Sequence, residues 1–296
     1  MAGARSILGS KPTKTVLDAF GLTEVELRTR HPQEHQHLFD RVKPFRDAQD
    51  RKAYRDRWWV FAEPRTELRR ATQGLARYIA TIETSRYRWF TFLERGTLPE
   101  QTLIAIALDD PYALGVLSSR PHVVFARESS MSKNGAGNDP RYNIAECFER
   151  FPFPTASEAQ KLVIRELALR LDAHRRRQLA AHPKLTITLV YNVLEKLRAG
   201  EELRDKDRAV HEQGLVGLLA QLHDELDEAV LAAYGWPAAV TDEELVGRLV
   251  ALNAERSTEE ASGAVRWLRP DFQAPKASKA TLLHGERRWL RPTRPT

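Results

Sequence analysis

Cysteine is almost missing from this sequence: Cys147 is the only one in 296 residues. That excludes a disulfide framework and a thiolate metal cluster, and it makes the cytoplasm the expected compartment. Long apolar runs are missing too. No stretch approaches the ~20 apolar residues of a membrane helix, so no membrane partner is expected. The opening residues, MAGARSILGSKPTKT, have a small basic region without an apolar core or cleavage site, unlike a secretory signal. No internal repeat is visible.

What is present reads as a globular chain. Charged residues make up 29% and hydrophobic residues 42%, enough for a real core in one large domain or two ordinary ones. The net charge of +6 is unevenly spread. From Arg41 to Arg95, 14 Lys/Arg stand against 7 Asp/Glu; from Gln221 to Ser262, 10 Asp/Glu stand against 2 Arg. A basic segment of this size suits a phosphate backbone. A solvated basic face without a partner is the plainer alternative.

Residues 1–13 read as a loose leader. From Lys14 to Glu63 short apolar runs mix with loops, and Pro32 and Pro44 are expected to break helices. The spacing of Leu68, Ala71, Leu75 and Ile79 predicts a helix over 65–80. WFTFL (89–93) and LIAIAL (103–108) read as buried strands. Pro111 to Ser118 reads as a short helix capped by Asp110. After Pro154 the pattern turns helical, through Leu162, Ile164, Leu167 and Leu171 and then Leu215, Leu218, Leu219, Leu222, Leu226 and Val230. Leu245, Leu249 and Leu252 form a third stripe, and Gly235-Trp236-Pro237 is a firm stop. The fold class predicted is α+β: a mixed α/β part over 14–154, a helical region over 155–269 that serves as scaffold or docking surface, and a flexible basic tail over 270–296.

Catalytic motifs are hard to find. Asp109-Asp110-Pro111-Tyr112 is nearest to the [DNS]-P-P-[FYW] loop that receives a flipped base, but Asp110 stands where the first proline belongs. Gly135-Ala136-Gly137 is nearest to a cofactor-binding turn, with Pro140 where a third glycine would stand. His31, His35 and His37 are close together without the accompanying spacing of a metal motif, and a polar loop is the simpler reading. Asp50-Arg51-Lys52 matches half of a nuclease core in a charge-dense stretch with no flanking strand. Cys147 reads as a small buried residue. No catalytic, cofactor-binding or metal-ligating set is predicted.

Eight unusual strings occur in order: VLDAFGLTE (16–24), RVKPFRDAQDRKAYRDRWWVFAEPRTELR (41–69), GLARYIATIETSRYRWFTFL (74–93), LGVLSSRPHVV (114–124), NDPRYNIAECFERFPFP (138–154), LTITLVYNVLEKLRAGEEL (185–203), LHDELDEAVLAAYGWP (222–237) and LNAERSTEEASGAVRWLRPDFQ (252–273). Together they resemble the C-terminal part of the large adenine-specific class I DNA methyltransferases of restriction–modification and phage-defence systems, the MmeI-like single-chain enzymes. The resemblance covers roughly residues 14–273. It implies a target-recognition domain at 14–154 and sequence-specific binding of double-stranded DNA. In that family S-adenosylmethionine and the chemistry belong to an N-terminal catalytic domain, so a catalytic methyltransferase partner is expected and this chain alone is expected not to methylate. The loop Ala126–Ala136 departs from the family pattern, which points to a different target or a damaged one. A protein-interaction scaffold, or the remnant of a disrupted gene, is the alternative.

The candidate DNA contacts follow. The basic segment offers Lys43, Arg46, Arg51, Arg57, Arg65, Arg69, Arg77, Arg86 and Arg88; arginine holds phosphate bidentately and reads guanine edges. Of the adjacent Trp58 and Trp59, one is expected in the core and the other is available for base stacking. Ser118, Ser119, Arg120 and His122 follow a short apolar element, a placement suited to groove contacts, with a serine-capped turn as the alternative. The resemblance adds Ser130, Lys133 and Asn134 in the variable loop, with Arg141 and Tyr142 closing it. The acidic residues around Asp224–Glu228 are expected to face away from DNA or to meet a basic partner.

Overall fold

The computed structural model describes residues 7–8, 14–130 and 139–274. Its first helix, α1 (Glu24–Arg30), starts at a reciprocal capping box between Thr23 and Glu26, which satisfies two N–H groups that have no partner inside the helix. α2 (Pro32–Arg41) and α3 (Lys43–Asp47) carry Pro32 and Pro44 in their first turns. The prolines expected to break helices therefore begin them, because the N–H that proline lacks has no intrahelical use in a first turn. The histidine run, expected as a loop, becomes helical at Pro32.

α4 (Lys52–Asp56) and α5 (Thr66–Thr72) follow. The helix expected over 65–80 stops at Thr72. Gly74 takes φ +87°, a conformation open to glycine, and the chain re-emerges as β1 (Arg77–Ile82). Leu75 and Ile79 are buried as their spacing predicts, but on a turn and a strand.

β1 is the central strand, antiparallel to β2 (Thr91–Glu94) on one side and β3 (Leu103–Ile106) on the other. Both faces are covered. Tyr78 and Ala80 join one apolar cluster with Trp89, Leu93 and Leu103, while Ile79 between them joins another with Phe92, Ile106 and Leu117. Burial on both faces is why WFTFL and LIAIAL are apolar throughout instead of alternating.

Asp110 caps α6 (Pro111–Ser118) by accepting the Tyr112 N–H at 2.8 Å. α7 (Arg120–Ser129) follows at once, so the stretch expected as a loop from Ala126 is helical to Ser129. A π-helical turn, Ile144–Phe148, holds buried Cys147. The rest is helical: α8 (Glu158–Ala181), α9 (Ile187–Arg198), α10 (Asp205–Gly214), α11 (Val216–Tyr234), α12 (Asp242–Ala261) and the short α13 (Pro270–Gln273). Capping boxes at Ser157/Gln160 and Thr241/Glu244 open α8 and α12, and Gly235 closes α11 in the left-handed conformation. Leu162, Leu215 and Leu218 leave the predicted stripes for solvent, whereas Ile164, Leu219, Leu222, Leu226 and Val230 are buried.

One apolar cluster runs across Pro154. It holds Tyr78, Trp89, Val124 and Phe151 from before it, and Ile164, Val193, Leu219 and Leu245 from after it. Ile7 and Leu8, in the leader expected to be loose, are buried in the same cluster. α6 and α8 pack tightly at Gly115, where a Cβ would come 2.6 Å from Ile164 Cγ2. Buried polar groups join α8 to the sheet. Asp172 accepts Thr91 Oγ1–H at 2.5 Å and Arg176 Nε–H at 2.9 Å, and Arg175 donates to Phe90 O at 3.1 Å. A small antiparallel sheet enclosed by helices makes the fold α+β, as the sequence predicts. Among the described residues no helix is long and apolar enough to cross a membrane. Pro270–Gln273 of the expected tail is helical, and residues 275–296 lie outside the described residues.

Candidate nucleic-acid interface

Two connections are clasped together at one end of the sheet. Tyr142 N–H donates to Glu83 O at 2.7 Å, and Thr84 and Arg141 form an antiparallel bridge. Arg88 holds them from beneath. Its guanidinium donates to Thr81 Oγ1, Ile82 O and Pro140 O and lies over the Tyr142 ring. Burial pulls its pKa down to about 10, so it stays charged at neutral pH. Deeper still, His122 is fully buried. Nδ1 lies 2.8 Å from Leu117 O, and Nε2 lies 3.1 Å from the Tyr142 hydroxyl and 3.2 Å from Cys147 O. Burial lowers the His122 pKa to about 4, so the ring is neutral. The result is a rigid floor under the point where residues 130 and 139 flank the undescribed 131–138.

Outside this floor lie Arg86 and Arg141, each with its side chain 58% exposed. Arg86 meets Glu195 at 2.8 Å and Arg141 meets Glu83 at 2.5 Å. The Arg86–Glu195 pair is exposed on both sides, and exposed pairs of this kind contribute ~0–1 kcal/mol; in the Arg141 pair the arginine is exposed and Glu83 is half-buried.

The structure sorts the other candidates by what already holds them. Ser118, Ser119, His122 and Tyr142 are buried; they build the floor and do not reach the surface as expected. Arg120, expected as a groove contact, is already held within the fold. Its N–H donates to Asp227 Oδ1 at 2.6 Å, and its side chain bonds Asp242 at 2.8 Å and Val240 O at 2.8 Å, so it fastens α7 to α11 and α12. Arg88 is spent beneath the clasp. Arg69 is held bidentately by Asp18 and lies over the Phe20 ring. Arg77 lies across the Phe92 ring at 3.8 Å. Ser130 donates to Ala126 O at 2.6 Å. Lys133 and Asn134 lie outside the described residues.

Near the other end of the basic segment, Arg51, Arg57 and Arg65 are exposed. Lys43 is half-buried beside Asp47 at 2.6 Å, and Arg46 is half-buried with its guanidinium on Val60 O. This section has its own small core of Ala19, Leu27, Leu38, Trp58 and Val60. Trp58 is the buried tryptophan of the pair, and Trp59 donates its Nε1–H to Leu22 O at 2.9 Å. His35 packs edge-on against Trp58.

The acidic section meets bases from the chain itself. Arg198 pairs with Asp224 at 2.6 Å, Arg170 with Glu225 at 3.4 Å, and the Arg120 N–H with Asp227. No local pattern announces these pairs, since Arg120 reaches carboxylates 107 and 122 positions away. Burial pushes the Asp227 carboxyl up to about 7.

The Asp109–Tyr112 look-alike does not fit a flipped base. Asp110 is consumed as a helix cap and by a bidentate pair with Arg165, and Tyr112 donates its hydroxyl to Pro154 O. Gly135–Gly137 lies outside the described residues. A groove of about 1420 Å³ runs between the Pro152–Pro154 segment and the end of α12. The cations along it are already paired, Lys161 with Glu158, Arg165 with Asp110 and Arg266 with Glu259.

An antiparallel three-stranded sheet enclosed by helices, with exposed arginines at a clasped loop base, is thus the class of structure at hand. Among solved structures it is similar to the type IIL restriction–modification enzyme MmeI, determined in complex with DNA, with a TM-score of 0.54 at 20% sequence identity. The likeness covers 82% of this chain and 29% of that one, so this chain spans under a third of its neighbour. No protein-family profile and no curated protein matches the sequence.

Proposed function

We propose that this chain is the duplex-DNA recognition module of an adenine-specific DNA methyltransferase from a restriction–modification or phage-defence system. Methyl transfer then needs a separate catalytic part that brings S-adenosylmethionine. The observation that carries this reading is the clasp: Arg86 and Arg141 stand exposed on a rigid, buried floor where two loops meet. Arginines there approach phosphate or base edges without reordering the fold, which is how most protein–DNA contacts set register. The likeness in fold to part of a restriction–modification enzyme determined with DNA supports it. So does the basic balance of residues 41–95.

Selection of binding sites from a random duplex pool tests the reading. Enrichment of one word, reduced in the Arg86→Ala/Arg141→Ala double variant, is the expected outcome. Equal recovery of all sequences would leave only a basic surface, and methyl transfer by the pure chain would contradict the division of labour.

A further inference from the structure

The section spanning α2 to α4 has a feature that the clasp does not use. Phe45, on α3, is 66% exposed, the highest exposure among the large apolar side chains of the described residues. A single exposed apolar residue is ordinary, but this one sits among charges of one predominant sign. From Arg41 to Arg57 the sequence carries seven Lys/Arg against three Asp. Arg41 and Lys43 stand four and two positions before Phe45, with Asp40 and Asp47 as the local acids.

The helix that carries Phe45 is firmly seated. Arg46, the next residue, bonds Val60 O at 3.3 Å and stacks its guanidinium on Tyr54 at 5.4 Å. The neighbouring Phe39 packs edge-on against Trp58, while Lys43 lies over the Phe39 ring at 5.9 Å. An aromatic ring held out on a rigid corner among cations suits a polyanion that also offers apolar faces. Duplex DNA has both: phosphates for Arg41 and Lys43, and base steps that accept an apolar wedge. A protein partner would have to be acidic and apolar at the same spot.

Resting on the reading of the chain as a duplex-DNA module, we propose that the α2–α3 corner is a second DNA grip in which the Phe45 ring wedges at a base step while Arg41 and Lys43 hold flanking phosphates. The test compares wild type, Phe45→Ala, Phe45→Trp and Lys43→Ala on duplexes carrying 2-aminopurine at successive positions. Circular dichroism verifies that each variant folds, which the exposure of Phe45 favours.

Wild type should raise 2-aminopurine fluorescence at one step, as unstacking does. Phe45→Ala should lose that signal and weaken binding about fivefold or more with the salt dependence unchanged, since no charge is removed. Phe45→Trp should keep both signal and affinity. Lys43→Ala should lower the slope of log K against log salt by about 1. Salt-dependent binding by wild type with no change in Phe45→Ala overturns this inference and leaves the recognition reading standing. Absence of duplex binding by wild type overturns both. Loss of a wild-type dimer in Phe45→Ala, without any change on DNA, makes the corner a contact between copies of this chain and also overturns the proposal.

Discussion

Arg86 and Arg141 at the clasp, and Arg120 and Arg176 among the helices, are the same residue put to opposite uses. The first two lie largely in solvent, Arg86 beside exposed Glu195 and Arg141 beside half-buried Glu83. Arg176 bonds buried Asp172, Thr91 and Phe92 O, and Arg120 joins three helices. The difference is the exposure of the arginine itself and the number of partners that hold it: the Arg86 and Arg141 side chains are each 58% exposed, against 32% for Arg120 and 33% for Arg176. An arginine packed among several partners cannot leave without stranding them, whereas an arginine that stands mostly in solvent with one carboxylate exchanges it at small cost. Counting arginines therefore overstates the surface free to meet an anion, and sorting them by their own exposure narrows it.

The sharpest break between the two groups is expected at Arg176. Arg176→Ala leaves Asp172 buried with only a hydroxyl, at a cost of about 3 kcal/mol; chemical denaturation should show it, while the folded fraction keeps its DNA affinity. Asp227→Asn is next, and its effect depends on pH. Burial raises the Asp227 pKa to about 7 in the fold, so the fold prefers the protonated form. Its contribution is complete below about pH 4 and is lost as pH rises through about 7. The variant should be more stable than wild type at pH 8 by about 1–2 kcal/mol, since part of Asp227 still touches solvent. The gap should close at pH 4, which urea titrations at the two pH values will show.

His122 acts with the opposite sign. With its pKa lowered to about 4, its contribution is present above about pH 6.5 and is lost as pH falls toward 4. His122→Gln should flatten that acid limb in the same titrations. Arg120→Ala should cost about 1–2 kcal/mol and leave DNA binding by the folded protein unchanged, which a binding isotherm can check. Arg141→Ala is the smallest in stability, within about 0.5 kcal/mol, and yet it should weaken DNA binding. Arg120 losing affinity and Arg141 keeping it would reverse the comparison.

Much of the framework was legible in local pattern. The capping residues Asp110 and Gly235, the apolar runs at 89–93 and 103–108, and the periodicity of 158–181 all depend on neighbours a few positions away. The failures share one cause. Leu75 and Ile79 fit a helical stripe and a strand equally well, and Gly74 decides between them. Ser119, His122 and Tyr142 are polar residues whose partners lie in the core, and Ser118 is buried with its hydroxyl unpartnered, none of which hydropathy can reveal. Arg120 looks like Arg141 until Asp227 and Asp242 fold onto it from distant helices. The strings that resemble a known family agree with the likeness in fold to part of a restriction–modification enzyme, but they did not separate floor from surface.

The most direct test of the central claim is the salt dependence of duplex binding by wild type and the Arg86→Ala/Arg141→Ala variant. If the clasp holds phosphates, wild type binds with log K falling linearly in log salt, and the double variant binds more weakly with a slope shallower by up to about 2. Equal affinity and equal slope for the two proteins, or no duplex binding by either, would contradict the account.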